Sequence, residues 1–310
     1  MRDMPTVDLA IVGPTASGKT ALAVELARSH EGVELVSVDA MAVYRHLDIG
    51  TAKPDAKERE GLTWHLIDLV DPTENFSVAD FQRAHTTARA KITARSHHAI
   101  YVGGTGLYSR AVVDGLDFGG RFPEIAADLA ARWEEPGGPE LLYRDLVELD
   151  PLAASRIDAP NGRRVLRALE VTLGSGRPFS AYGEGMTAYE SAPMCLVGLR
   201  LPREVLYQRI VERLDRQIAA GFIEEVASLN LTLSRTAAQA LGYREFAAYL
   251  RGEMSLAAAR EQVITRTRRF ARRQESWFRR DPRINWVDVL AGDLVGQVEQ
   301  LWTTHSAIAH

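Results

Sequence analysis

The chain has 310 residues, 46% apolar and 25% charged, with one cysteine and a net charge of −4. That length suits one large core with an insertion, or two domains, and excludes a mini-protein; the ordinary apolar content and the aperiodic glycines and prolines exclude disorder and collagen. A lone Cys195 makes neither an internal disulfide nor a cysteine-based zinc site, so a reducing compartment, the cytoplasm, is expected, and the net charge read alone argues against nucleic acid.

In chain order, residues 8–12 are a short apolar run ended by Gly-Pro, read as a buried strand. Residues 18–28 read as a helix packed on a sheet and 33–38 as a second strand ending at Asp39. Residues 64–70 and 99–102 are further strands, separated by an amphipathic helix over 78–95. Strands alternating with helices predict an α/β fold, a parallel sheet flanked by helices. After residue 119 the character changes. Residues 123–173 carry helical patterns alone, 174–193 are rich in Gly, Ser and Pro, and a β pattern returns at 195–201. The expected organisation is therefore a core of 1–118 and 195–310 with a mostly helical insertion, 119–194. From Arg203, apolar residues at every fourth position to 226 predict one long helix. A second helix over 256–280, a strand over 284–289 and a terminal helix over 295–302 complete the chain. The N-terminal stretch is no signal peptide, and no run approaches the roughly 18 apolar residues that span a bilayer, so no membrane association is expected.

The strongest motif is Gly13, Pro14, Thr15, Ala16, Ser17, Gly18, Lys19 and Thr20, a match to GxxxxGK[ST] between a strand and a helix. In this P-loop pattern backbone N–H groups and the helix N-terminus surround phosphate oxygens, Lys19 neutralises charge and the Thr20 hydroxyl coordinates Mg²⁺. The pattern specifies a polyphosphate without saying which. Asp39, delivered to the same sheet edge, either caps the following turn or serves as a general base or as a group that holds Mg²⁺ through its bound water. The loops at 50–54 and 103–108, the latter with two glycines before Thr105, fall at that edge too.

Only four of 37 basic residues are lysines, and Lys19 is one of them. Residues 260–283 hold nine arginines against Glu261, Glu275 and Asp281, a basic stripe inside an acidic protein. A second cluster, Arg163, Arg164 and Arg167, opens a helix of the insertion. Each run alone reads as a solvated face; two of them, with Trp277 and Phe278 beside one, point to a groove for nucleic acid.

Taken together, GPTASGKT, SVDAMAVY, DIGTAKP, HLIDLVDP, VGGTGLY, NGRRVLRALEV, AAGFIEEV, QALGYREF and TRRFARRQESWF resemble, in that order, the bacterial tRNA dimethylallyltransferases, over residues 9–280. The resemblance implies transfer of a dimethylallyl group from dimethylallyl diphosphate to N6 of the adenosine 3′ of the anticodon; Mg²⁺, from the phosphate-loop motif, is the expected cofactor, and a monomer is expected. It further implies that Asp39 is the base, that Thr105 assists, and that Arg213 joins residues 13–20 on the diphosphate. The implied tRNA contacts are Asp39, Ala40, Met41 and Ala42; Arg163, Arg164, Val165, Leu166 and Arg167; and Gln239, Ala240, Leu241, Gly242, Tyr243 and Arg244. Ala42 departs from the family's glutamine, Trp64 from a histidine, and 119–123 are atypical. No Cys–His finger follows residue 280. A P-loop small-molecule or nucleotide kinase, and an RNA-binding ATPase, remain the alternatives.

Overall fold

The computed structural model describes residues 6–182, 189–229 and 233–308. Six strands form one parallel sheet: β1 (Asp8–Val12), β2 (Val33–Val38), β3 (Trp64–His65), β4 (His98–Gly103), β5 (Met194–Arg200) and β6 (Asn285–Asp288), in the order β3-β2-β4-β1-β5-β6. The α-helices among the described residues are α1 (Lys19–Ser29), α2 (Ala56–Arg59), α3 (Val78–Ala94), α4 (Gly106–Val113), α5 (Pro123–Trp133), α6 (Gly138–Leu149), α7 (Pro151–Ala154), α8 (Gly162–Ser175), α9 (Arg203–Ala219), α10 (Phe222–Ser228), α11 (Tyr243–Leu250), α12 (Leu256–Phe278) and α13 (Leu294–Ile308).

The described residues fall into two compact units, Met1–Val113 with Ser191–His310, and Asp114–Glu190. In the first, strand alternation splits the core into two layers. Leu9, Ile11, Leu35 and Ile100 pack with Leu22 and Leu26 of α1 and with Trp302 of α13. Ala10, Val12, Val36, Val38 and Tyr101 belong to the opposite layer, with Phe81, Phe222, Tyr243 and Phe246. Burying a large apolar side chain contributes roughly 1.5–3 kcal/mol, so these layers set where the strand ends lie and hence where the loops after them converge. In the second unit α5, α6, α7 and α8 enclose Leu129, Leu142, Leu146, Val165 and Leu169. The Asn161 side chain caps α8 by accepting from the Arg164 N–H, and Gly176 closes it in the left-handed region at a φ of 70°. No helix among the described residues is long and apolar enough to cross a membrane.

Two expectations need correction. The strand expected over 64–70 is a strand only at Trp64–His65, with a single isolated bridge between Val70 and Tyr44 further on. Leu66 and Asp68 then take φ values of 62° and 57°, and the Leu69 and Val70 N–H groups both bond to the Val43 carbonyl, in a loop rather than a ladder. The buried Lys53 ammonium fixes that loop by donating to Asp48 and Asp68. The helix expected from 203 to 226 is two helices, broken at Gly221, whose φ of 100° no L side chain adopts without strain. The apolar every-fourth pattern persists through the break because both helices bury the same kind of face. α4 and α11 lie within segments read only as motifs.

Candidate active site

The loop after β1 requires two of its glycines. Gly13 has a φ of 144°, and a Cβ there would sit 2.8 Å from the Leu199 carbonyl oxygen on β5. Gly18, the N-cap of α1, has a φ of 93°. The loop they permit delivers its backbone to the N-terminus of α1, where unpaired N–H groups and the helix dipole favour an anion. Lys19 Nζ donates back to the Pro14 carbonyl at 2.7 Å. On α9, Arg213 Nη1 donates to Thr15 Oγ1 at 3.0 Å. Burial, joined by the positive charge of Arg213 and opposed by the Asp39 carboxylate, brings Lys19 from 10.5 down to about 7. Burial likewise lowers Arg213, against the pull of Asp39. Two desolvated cations with one carboxylate nearby make a site that lacks negative charge.

Asp39 follows β2. Its Oδ1 accepts the Met41 N–H at 2.8 Å, so the capping role read from the sequence is present. The cap leaves Oδ2, which makes no hydrogen bond among the described residues. Thr105, after β4, accepts the Ala40 N–H at Oγ1 at 3.1 Å and so lies against the Asp39 turn. The glycines before and after it allow this approach. A Cβ on Gly103 would collide with the Val38 carbonyl, one on Gly104 with the Gln274 amide, and one on Gly106 with the Trp277 ring.

Beside these groups opens a cavity of about 520 Å³. Thr15, Asp39, Thr105 and Arg213 supply its polar lining; Ile210, Leu214, Phe222, Val263 and Phe270 its apolar wall; Arg266, Arg269 and Arg273 further positive charge. Gly50 and Thr51 also line it. Their loop is held by Glu225, which accepts the N–H groups of Asp48, Ile49 and Gly50 at 2.8, 2.7 and 3.0 Å and the Tyr243 hydroxyl at 2.6 Å.

The residues singled out in the sequence separate by position. Pro14 and Ser17 are buried, and Ser17 Oγ is a buried hydroxyl without a hydrogen-bond partner among the described residues. Ala40, Met41, Gln239, Ala240 and Leu241 line the cavity. Ala42, Gly242 and Tyr243 face the core instead, and Arg244 is exposed. In the helical unit Arg163 and Arg164 are exposed, whereas Val165 is wholly buried. Arg167 is held by Glu170 at 2.7 Å and by the carbonyls of Phe118 and Gly120. The stripe on α12 is likewise divided. Arg260 pairs with Asp215 and Arg266 with Glu245, while Arg269 and Arg272 are exposed and have no carboxylate partner among the described residues.

Two important residues carried no expectation. Gln274 is buried on α12, and its signal was a polar residue on the stripe of Ala271 and Phe278. Glu225 gave no such signal, because its partners are backbone N–H groups far away in sequence.

A divalent cation fits this donor set. No three His, Cys, Asp or Glu side chains among the described residues cluster to hold a metal. One carboxylate, Asp39, with the hydroxyls of Thr15 and Thr105 also lining the cavity, is the kind of sparse oxygen set that holds a divalent cation together with substrate phosphates rather than in a protein cage.

Residues 42–281 match the family model described as IPP transferase. A tRNA dimethylallyltransferase of Nocardioides sp. is 46% identical over 282 residues, 90% of each chain. The crystal structure of the full-length tRNA isopentenylpyrophosphate transferase of Bacillus halodurans is 36% identical with a TM-score of 0.69, covering 98% of this chain and 97% of that one. A eukaryotic dimethylallyltransferase captured acting on tRNA is 26% identical with a TM-score of 0.81, covering 97% and 79%.

Proposed function

Because the chain belongs to the IPP transferase family, we propose that it transfers a dimethylallyl group from dimethylallyl diphosphate to N6 of the adenosine 3′ of the anticodon in tRNA, releasing diphosphate. The observation that carries this reading is that Thr15 of the phosphate loop, Arg213 and Asp39, whose Oδ2 is left open, line one cavity with an apolar surface, while Lys19 lies near enough to feel the charges of Arg213 and Asp39. A hydrocarbon chain suits Ile210, Leu214, Phe222 and Val263 as ATP's ribose does not.

An exocyclic amine is a weak nucleophile, because its lone pair is delocalised into the ring. The reaction therefore depends on weakening the allylic C–O bond. Lys19, Arg213 and the loop N–H groups stabilise the diphosphate as it takes the bonding electrons. The N6 lone pair forms the new C–N bond, and the N6 proton passes to Asp39, with Thr105 holding the Ala40 turn beside it. Mg²⁺, when bound, would be held by the Thr20 hydroxyl and would supply further neutralisation of the leaving diphosphate. A stacked adenosine does not reach a strand-end carboxylate, so it is extruded into the cavity. Asp39 to Ala42 and Gln239 to Arg244 meet the anticodon loop, in part through backbone where side chains are buried. The exposed Arg163 and Arg164 of the helical arm, 119–194, meet tRNA phosphates, with Val165, Leu166 and Arg167 on the same helix beside them. The protein acts as a cytoplasmic monomer.

The test is incubation with dimethylallyl diphosphate, Mg²⁺ and unmodified tRNA, followed by mass analysis of the nucleosides. A prenylated adenosine is expected; its absence across a full set of tRNAs overturns the reading.

A further inference from the structure

We propose that Gln274 is the strut that fixes the spacing between the leaving-group half of the site and the base half, and is thus a positioning residue for prenyl transfer; this rests on the reading above. Gln274 is 6% exposed. Its Oε1 accepts the Thr15 N–H at 2.8 Å, and its Nε2 donates to the Gly104 carbonyl at 2.9 Å. One amide thus joins the loop after β1 to the loop after β4. At one end the connection continues through Thr15 Oγ1 to Arg213. At the other it continues through Thr105 Oγ1, the Ala40 N–H and so to Asp39.

Two further features support this assignment. Thr15 belongs to the loop expected to hold phosphate, yet its N–H faces a protein amide, so this donor sets the loop's position instead of binding the ligand. Gly104 lacks the Cβ that would occupy the place of Gln274 Nε2. One turn further along α12, the Trp277 ring occupies the space beside Gly106 in the same way. The helix end is therefore fitted to the glycine loop at two consecutive contacts. In-line transfer requires the carbon of the donor and N6 of the acceptor at a set separation, and displacement by about 1 Å costs on the order of 100-fold in rate. A link between the two loops acts on that separation and not on the affinity of either substrate.

The experiment is a double-mutant cycle of Gln274→Ala and Gly104→Ala, read as kcat and KM for dimethylallyl diphosphate and tRNA. The added methyl of G104A displaces the amide, which both of its bonds and its burial hold in place, so each single variant breaks the same link. Each is expected to lower kcat about 10- to 100-fold, with both KM values within about threefold, and the double variant is expected to fall no further than the worse single one. Melting of each variant is followed by circular dichroism; should truncation unfold the chain, Gln274→Met keeps the volume filled and is read for the same kcat and KM changes. Unchanged kcat in the folded variant, or single losses that multiply in the double variant, overturns the proposal. Wild type in the same assay separates the two ideas: no product with wild type removes the prenyl-transfer reading, whereas product with wild type and indifferent variants removes the strut alone.

Discussion

Arg213 stands close enough to Lys19 that its positive charge adds to burial in bringing the lysine down to about 7. Both side chains bond the phosphate loop, Lys19 at the Pro14 carbonyl and Arg213 at the Thr15 hydroxyl. Below about pH 7 the empty site carries both cations; above it Lys19 loses its proton. A diphosphate restores the charged form, because it supplies the negative partner that the empty site lacks.

Binding of inorganic diphosphate should therefore take up a proton at Lys19 in the alkaline range. Titration calorimetry in buffers of different ionisation enthalpy measures it. Wild type is expected to take up about one proton more than Lys19→Met at pH 8.5 and about the same number at pH 6. Equal uptake by the two proteins at pH 8.5 would contradict the assignment.

Asp39→Asn keeps the acceptor for the Met41 N–H, so the turn should persist while the base is lost. Single-turnover prenyl transfer is expected to slow about 10²- to 10⁴-fold with tRNA affinity nearly unchanged. A rate within a few-fold of wild type would remove Asp39 from the chemistry.

Gly103→Ala tests how the strand ends are brought together. The new Cβ collides with the Val38 carbonyl, a backbone atom held in the sheet. A loss of about 1–3 kcal/mol in urea unfolding is expected, with weakened activity because Asp39 follows Val38. An unchanged midpoint would show that the approach of β2 and β4 is looser than described.

Away from the cavity, Glu34 on β2 accepts from Arg95, His65 and His97 at 2.6–2.8 Å. Burial alone would raise its pKa, but these hydrogen bonds outweigh burial and hold it at about 2, against an ordinary 4.5. Because the folded value is the lower one, the stabilisation is complete above about pH 4.5 and is lost as pH falls toward 2. It amounts to about 3 kcal/mol. Urea midpoints between pH 2 and 7 should show a steep acid limb in wild type and a flatter one in Glu34→Gln; parallel curves would contradict this.

The parallel sheet, the phosphate loop and the Asp39 and Thr105 loops were legible in sequence because each rests on local pattern: a buried apolar run followed by glycines or a carboxylate. The turn at Gly221 was hidden by an apolar period that does not depend on helix continuity. The strand expected at 64–70 stops at His65 because Leu66 is buried and the apolar residues after it are half-buried in a loop pinned through Lys53, a contact without periodicity. Net charge misled in both directions. The value of −4 conceals the basic stripe, and the stripe in turn conceals Arg260 and Arg266, whose charges hold α9 and α11. Gln274 was visible only as a misplaced polar residue, since its meaning lies in two loops distant in the chain.

The measurement that bears most directly on the proposed activity is fragment mapping of tRNA after reaction with isotope-labelled dimethylallyl diphosphate, with released diphosphate counted in parallel. The label is expected on N6 of the adenosine 3′ of the anticodon, one diphosphate released per label, and none of either with Asp39→Asn on the same timescale. Label absent from tRNA, with phosphate instead passed from ATP to a small molecule, would contradict the prenyl-transfer account and return the site to a kinase.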